Sequence, residues 1–278
     1  MKKILVGIDF LDSSINALEH AVSIANCSGA DIRMIWVNRP EYNKEVFLYE
    51  PEKLPKVVDD KFNELIAKYG PLLKNSKLEY VIREGKVYKR IVNEAEEWGA
   101  EIIIVGTHGS SGFEEFWIGS NANKVVSATE LPVITIRGGI DVAKPLTRLL
   151  LPIDSSLETR QKVPFSAYLA KLHDAEVIVT CLYTTKVESV RDRVDRYAEQ
   201  TIEYLEEEEV RFKLEKLEVE TLSADTIEFA KKVGANLIAI MTEQERKAAN
   251  LWLGPYASQF VNHSPIPILS IHAKDFTY

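Results

Sequence analysis

The 278-residue sequence has only two cysteines, Cys27 and Cys181, far apart in the chain. That excludes a disulfide scaffold and a thiolate metal cluster, and it suits a reducing compartment. Basic charge is also short: 34 Lys and Arg against 42 Asp and Glu leave a net charge of −8. The basic footprint needed to bind a phosphate backbone is missing, so no nucleic-acid partner is expected. No apolar run approaches the roughly 20 residues of a membrane helix, so no membrane partner is expected either. The first apolar run, residues 4–8, stops at Asp9. It is too short for a signal-peptide core, and a soluble cytoplasmic protein is the expectation. The five histidines show no metal-ligand spacing, so no metal site is assigned. No Gly-x-x-x-x-Gly-Lys-Ser/Thr occurs. Gly109-Ser110-Ser111-Gly112-Phe113 misses the Gly-x-Ser-x-Gly elbow by one position. What remains is an ordinary globular composition, 46% apolar with 13 Gly and 11 Pro, which excludes disordered and low-complexity classes.

What is present is a repeat. Ile4-Leu5-Val6-Gly7-Ile8-Asp9 returns 145 positions later as Leu149-Leu150-Leu151-Pro152-Ile153-Asp154. Farther on the offset is 135: Trp98-Gly99-Ala100 meets Val233-Gly234-Ala235, Gly119 meets Gly254, and Pro132 meets Pro267. The second copy is therefore shorter by 10 residues, lost between its second strand and its third helix. A period this long is a domain duplication rather than a solenoid. The boundaries expected are residues 1–138 and 145–278, joined by a segment that opens on Gly138-Gly139 and closes on Pro145.

Each copy alternates strand and helix. In the first, residues 4–8 form a continuous apolar run, as in a strand covered on both faces. Ser13 or Ser14 is expected to cap a helix with Ala17, Leu18, Ala21, Val22 and Ala25 at helical spacing. Strands follow at 31–37, 78–83, 101–105 and 132–136, and helices at about 52–69, 87–98 and 121–128. This alternation predicts an α/β fold in which each copy is a doubly wound parallel sheet with helices on both faces. Residues 39–55 are long for a loop and suggest a lid or an interaction surface.

The fourth strand leads into Gly106-Thr107-His108-Gly109-Ser110-Ser111-Gly112, and Gly119-Ser120-Asn121 opens the next helix. Glycines let a backbone approach a bulky ligand, and a helix N-terminus offers unpaired N–H groups. Together they can make a phosphate cradle that needs no lysine. The same glycines can also serve only the turns of a surface loop, and the two readings stand side by side. In an open α/β sheet ligands sit beyond the carboxyl ends of the strands where strand order reverses. Asp9 and Gly106 stand at two such ends. A carboxylate there can accept from a base amino group or a ribose hydroxyl, or it can close a turn.

The spacing Gly106-x-x-Gly109, nine residues, Gly119-Ser120, with Gly7-Ile8-Asp9 and Leu131-Pro132-Val133, resembles the ATP-binding motif of the universal stress protein family. The resemblance extends over both copies and implies a tandem member. The fold it implies is a five-stranded parallel sheet in each copy, in order 3-2-1-4-5. It implies ATP or another adenine nucleotide, with Mg2+, as cofactor. By resemblance Asp9 holds adenine or ribose and the Val37 main chain meets the adenine edge. Gly106, His108 and Gly109 line the triphosphate path, and Gly119, Ser120 and Asn121 donate to the phosphates. The chain departs from the pattern at Asn121 and Ala122, where the family has an apolar residue and often a hydroxyl, a loss expected to weaken phosphate binding. His108 reads equally as a phosphate contact or an exposed loop histidine.

In the second copy the motif positions become Met241, Gln244, Gly254 and Pro255. Pro255 has neither N–H nor hydroxyl, so one nucleotide per chain is expected, in the first copy. Trp117 and Trp252 read as packing anchors, and residues 206–209 as a solvated helix face. The leading expectation is a nucleotide-binding regulatory or stress-response protein with an unknown protein partner. Slow ATP hydrolysis and an interaction scaffold with a vestigial site are the alternatives, and no residue stands out as a water-positioning base. Strand five of each copy is apolar and ends its sheet, and such edges are seldom left bare. The two are expected to pair antiparallel within the chain as a pseudo-dimer, with a further homodimer through other faces left open.

Overall fold

The computed structural model describes residues 1–38, 54–107, 120–137, 145–242 and 253–273. The first half runs β1 (Lys3–Gly7), α1 (Asp12–Ser28), β2 (Asp31–Asn38), α2 (Leu54–Tyr69), β3 (Leu78–Glu84), α3 (Val87–Trp98), β4 (Ile102–Thr107), α4 (Ser120–Ala128) and β5 (Val133–Arg137). The second runs β6 (Arg148–Ile153), α5 (Val163–His173), β7 (Glu176–Tyr183), α6 (Glu188–Glu207), β8 (Phe212–Glu218), α7 (Leu222–Lys232), β9 (Leu237–Thr242), α8 (Pro255–His263) and β10 (Ile268–His272). A short 3-10 turn, Leu157–Arg160, precedes α5.

All ten strands form one mixed sheet in the order β3-β2-β1-β4-β5-β10-β9-β6-β7-β8. The first half has the expected order 3-2-1-4-5. The second repeats it in reverse direction across the sheet. The join is the antiparallel pair β5·β10, with Leu269 opposite Ile134, Ile268 opposite Thr135 and Ser270 opposite Val133. The two apolar edges therefore cover one another, as expected from their exposed hydrogen-bonding groups.

Side chains alternate across the sheet. Ile4, Val6, Ile32, Met34, Ile134 and Leu269 face α1, α2, α5 and α6 in one apolar layer. Leu5, Ile103, Val133 and Ile268 face α3, α4, α7 and α8 in the other. Each half also ends against the other's last helix. Arg137 Nη1 donates to the His263 carbonyl at the end of α8, 3.5 Å away, and His272 Nε2 meets the Val126 carbonyl in α4. A nitrogen facing a carbonyl must be the donor, so His272 Nδ1 accepts from Thr242 Oγ1 at 2.9 Å. Desolvation lowers the His272 pKa, which favours this neutral form.

One local expectation is corrected. The N-cap of α1 is Leu11, with no side-chain cap, rather than Ser13 or Ser14. Both serines lie buried within the first turn, and Ser14 Oγ donates to the Leu11 carbonyl at 2.9 Å. Cys27 is exposed near the end of α1, while Cys181 is buried in β7. The joining segment 138–144 lies outside the described residues.

Candidate functional site

β1 and β4 lie side by side and parallel, with Gly7 opposite Val105, so their carboxyl ends open into one crevice. Strand order reverses here: β2 continues on one side of β1, and β4 and β5 on the other. Asp9 stands just past β1 and is exposed. Its backbone N–H donates to Ser14 Oγ at 3.2 Å, and its Oδ1 accepts the Leu11 N–H at 3.0 Å. The carboxylate thus closes an Asx turn. Phe10, in the middle of that turn, has a left-handed φ of 65°, which a bulky residue seldom adopts. Its ring packs edge-on against Phe62, centroids 5.0 Å apart.

Val37 is half-buried in β2, which runs past the end of β1. Ile35 accepts from Ile8 on the β1 side, and Asn38 accepts from Gly85 on the β3 side. Main-chain groups alternate sides along a strand, so those of Val37 point towards β1 and the Asp9 turn. Asn121 is half-buried in the first turn of α4, which begins at Ser120. Ala122 is 4% exposed and packs in the apolar layer with Leu5 and Val125, so a hydroxyl there would face the core. His108, Gly109 and Gly119, as well as Trp117 and the 39–53 segment, lie outside the described residues.

Gly106 sits in β4 with α1 directly against it. A Cβ on Gly106 would fall 2.5 Å from the Ser13 carbonyl carbon and 2.7 Å from both the Ser13 oxygen and the Ser14 nitrogen. The missing side chain therefore admits the backbone of α1, not only open crevice space.

The second half keeps the turn and Gly254, and differs at the positions of Gly106 and Ser120. Asp154 N–H donates to Thr159 Oγ1 at 3.2 Å, as Asp9 does to Ser14. Its Oδ1 accepts from Ser156 N and Oγ at 2.8 and 2.5 Å. Met241 replaces Gly106, and Pro255 opens α8. Lys162 is a residue that the sequence reading missed. It is 3% exposed, and its Nζ donates to the Thr159 carbonyl at 2.6 Å and to Thr159 Oγ1 at 3.1 Å. Burial pulls its pKa down to about 8, against an opposing pull from Asp154. Tyr256, at the position of Asn121, is pushed up by desolvation and by the same Asp154 charge. A signal for Lys162 exists: it takes the repeat position of Ala17, on the apolar stripe of the first helix.

The model of the universal stress protein family matches residues 1–137 and 145–272. Universal stress protein YxiE of Bacillus subtilis is 30% identical over 148 residues, covering 49% of this chain and 98% of that protein. A crystal structure of a universal stress protein from Archaeoglobus fulgidus covers 98% of both chains with a TM-score of 0.75 and 16% identity. A functionally unknown protein from Pseudomonas aeruginosa covers 98% of this chain and 93% of its own, with a TM-score of 0.67 and 17% identity. At these identities the two structures show the shared tandem fold. Among the described residues no helix is long and apolar enough to cross a membrane.

Proposed function

The chain belongs to the universal stress protein family, and from that premise we propose that its first half binds one adenine nucleotide, ATP with Mg2+, as a regulatory ligand. The observation that carries the reading is the asymmetry between two otherwise matching halves. In the first, the Asp9 turn and the Val37 main chain stand at the ends of β1 and β2 beside the crevice, and α4 is the helix that follows β4 in the chain. Glycine at 106 lets α1 lie against β4 there. In the second, Met241 stands at the position of Gly106 and Pro255 at that of Ser120.

In this reading the Val37 main chain meets the base edge, and Asp9 accepts from base or ribose through its carboxylate. His108, Gly109, Gly119, Ser120 and Asn121 hold the phosphates, backbone N–H groups at the start of α4 meeting the anionic end. Mg2+ would neutralise phosphate charge. The role is regulatory: the occupied crevice biases a surface for a protein partner. Calorimetric titration with Mg-ATP tests this, with one site per chain expected. A phosphate-release assay on the same sample separates a held ligand from a hydrolysed one.

A further inference from the structure

The two halves differ in how their first helix begins. In the first, α1 is continuous from Asp12 to Ser28. In the second, the matching stretch is a 3-10 turn at Leu157–Arg160, and α5 begins only at Val163. The Thr159 N–H donates to the Ser156 carbonyl as Ser14 does to Leu11 in the first half, but the next bond, from Gln161 N–H to the Glu158 carbonyl, again spans three residues where α1 has already passed to four with Ile15 to Leu11. Two features of the second half account for the break. Pro164, at the position of Glu19, has no N–H for the Arg160 carbonyl. Met241 carries a Cβ where Gly106 carries none, and β9 lies against this 3-10 turn. With the geometry of the first half, that Cβ would fall 2.5 Å from a backbone carbon, which no side-chain adjustment relieves. The Thr159 carbonyl is then taken by the Lys162 ammonium.

We infer that Gly106 is a positioning residue: by lacking a side chain it lets the first turn of α1 close onto β4, and that closure sets the Asp9 turn at the crevice. The link is direct. The backbone that Gly106 admits is Ser13 and Ser14, and Ser14 Oγ holds the Asp9 N–H at 3.2 Å. The same bond persists beside Met241, from Asp154 N–H to Thr159 Oγ1 at 3.2 Å, so a side chain at 106 is expected to shift this turn outward as a unit, carrying Asp9 with it, rather than to break it. The glycine thus shapes the crevice through α1 as well as by leaving room for a ligand, and Met241 marks the half where that closure is lost. The binding arm of this inference rests on the nucleotide reading above; the helix arm does not.

The test is Gly106→Ala in the full chain. The first half has no proline equivalent to Pro164, so the variant isolates the close approach. Hydrogen exchange of the amides at 14–17 is expected to speed at least tenfold, and Mg-ATP affinity to fall at least tenfold, with far-ultraviolet circular dichroism otherwise retained. Unchanged exchange at 14–17 would overturn the inference. Faster exchange with unchanged affinity would overturn its functional half. A wild-type chain that binds no Mg-ATP would refute the nucleotide reading while the exchange comparison still decides the helix claim. Should Gly106→Ala fail to fold, Met241→Gly/Pro164→Ala asks the converse in the second half. Slowed exchange at 161–163 is expected, and no change there would overturn the inference.

Discussion

Lys162 gives the second half a pH dependence whose sign and size follow from its surroundings. Burial lowers its pKa from 10.5 to about 8. Between those values the unfolded chain holds a proton that the folded chain has released, so stability rises with pH. The contribution is full above pH 10.5 and is lost as pH falls through about 8. At about 1.4 kcal/mol per pH unit, the whole window amounts to roughly 3 kcal/mol. Lys162→Met removes this titration. It also strips the Thr159 carbonyl of its donor, a loss of about 1–3 kcal/mol that offsets the relief of charge burial below pH 8. The difference at neutral pH is therefore a poor discriminator, and its slope is the informative quantity. Urea unfolding of both proteins from pH 7 to 10 is expected to show the wild type gaining on Lys162→Met by about 2 kcal/mol across the range. Other titrating groups cancel in the comparison. Parallel curves would refute the argument, because they would mean that Lys162 keeps an ordinary ammonium in the folded state.

Leu269 is fully buried opposite Ile134 where the two halves join, so Leu269→Ala is expected to lower stability by about 2–5 kcal/mol in denaturant unfolding. Glu94 is 2% exposed and pairs with Arg33 at 2.8 Å and Arg83 at 2.6 Å. Arg33 keeps Glu79 at 2.6 Å and both arginines reach solvent, so Glu94→Ala costs mainly its charge-assisted hydrogen bonds, and calorimetric melting should report a loss of about 1–3 kcal/mol. Gly119→Val is expected to abolish Mg-ATP binding with unchanged circular dichroism; retained affinity would mean that this glycine serves only its turn.

The central strands were legible because they are written as short apolar runs, whereas the outer β3 and β8 alternate apolar with charged residues. Residues 4–8 were expected where Lys3–Gly7 is found, and the helix expected at 87–98 is α3, closed by Gly99 in the left-handed conformation. The repeat carried the topology further, since two matching apolar edges on one chain have each other as the natural cover. The helix cap was misread for a physical reason. Ser13 and Ser14 have cap chemistry, but Gly106, distant in sequence, draws their turn against β4 and buries both hydroxyl residues. No local pattern encodes that approach. Asp9 was open between ligand and turn, and the Asx turn is present; one carboxylate oxygen in a turn does not prevent the group from accepting further hydrogen bonds. Lys162 escaped notice because an amphipathic stripe implies an apolar residue at its position. Its burial depends on a carbonyl that becomes available only when the helix above it breaks.

In the proposed function one half of a duplicated chain keeps a nucleotide crevice and the other has lost it. Calorimetric titration of the purified full chain with Mg-ATP tests that most directly. One nucleotide per chain, with binding removed by Gly119→Val, is the expected result. Two equivalent sites per chain would contradict the roles given to Met241, Gln244 and Pro255, and no binding at all would contradict the role given to the first half.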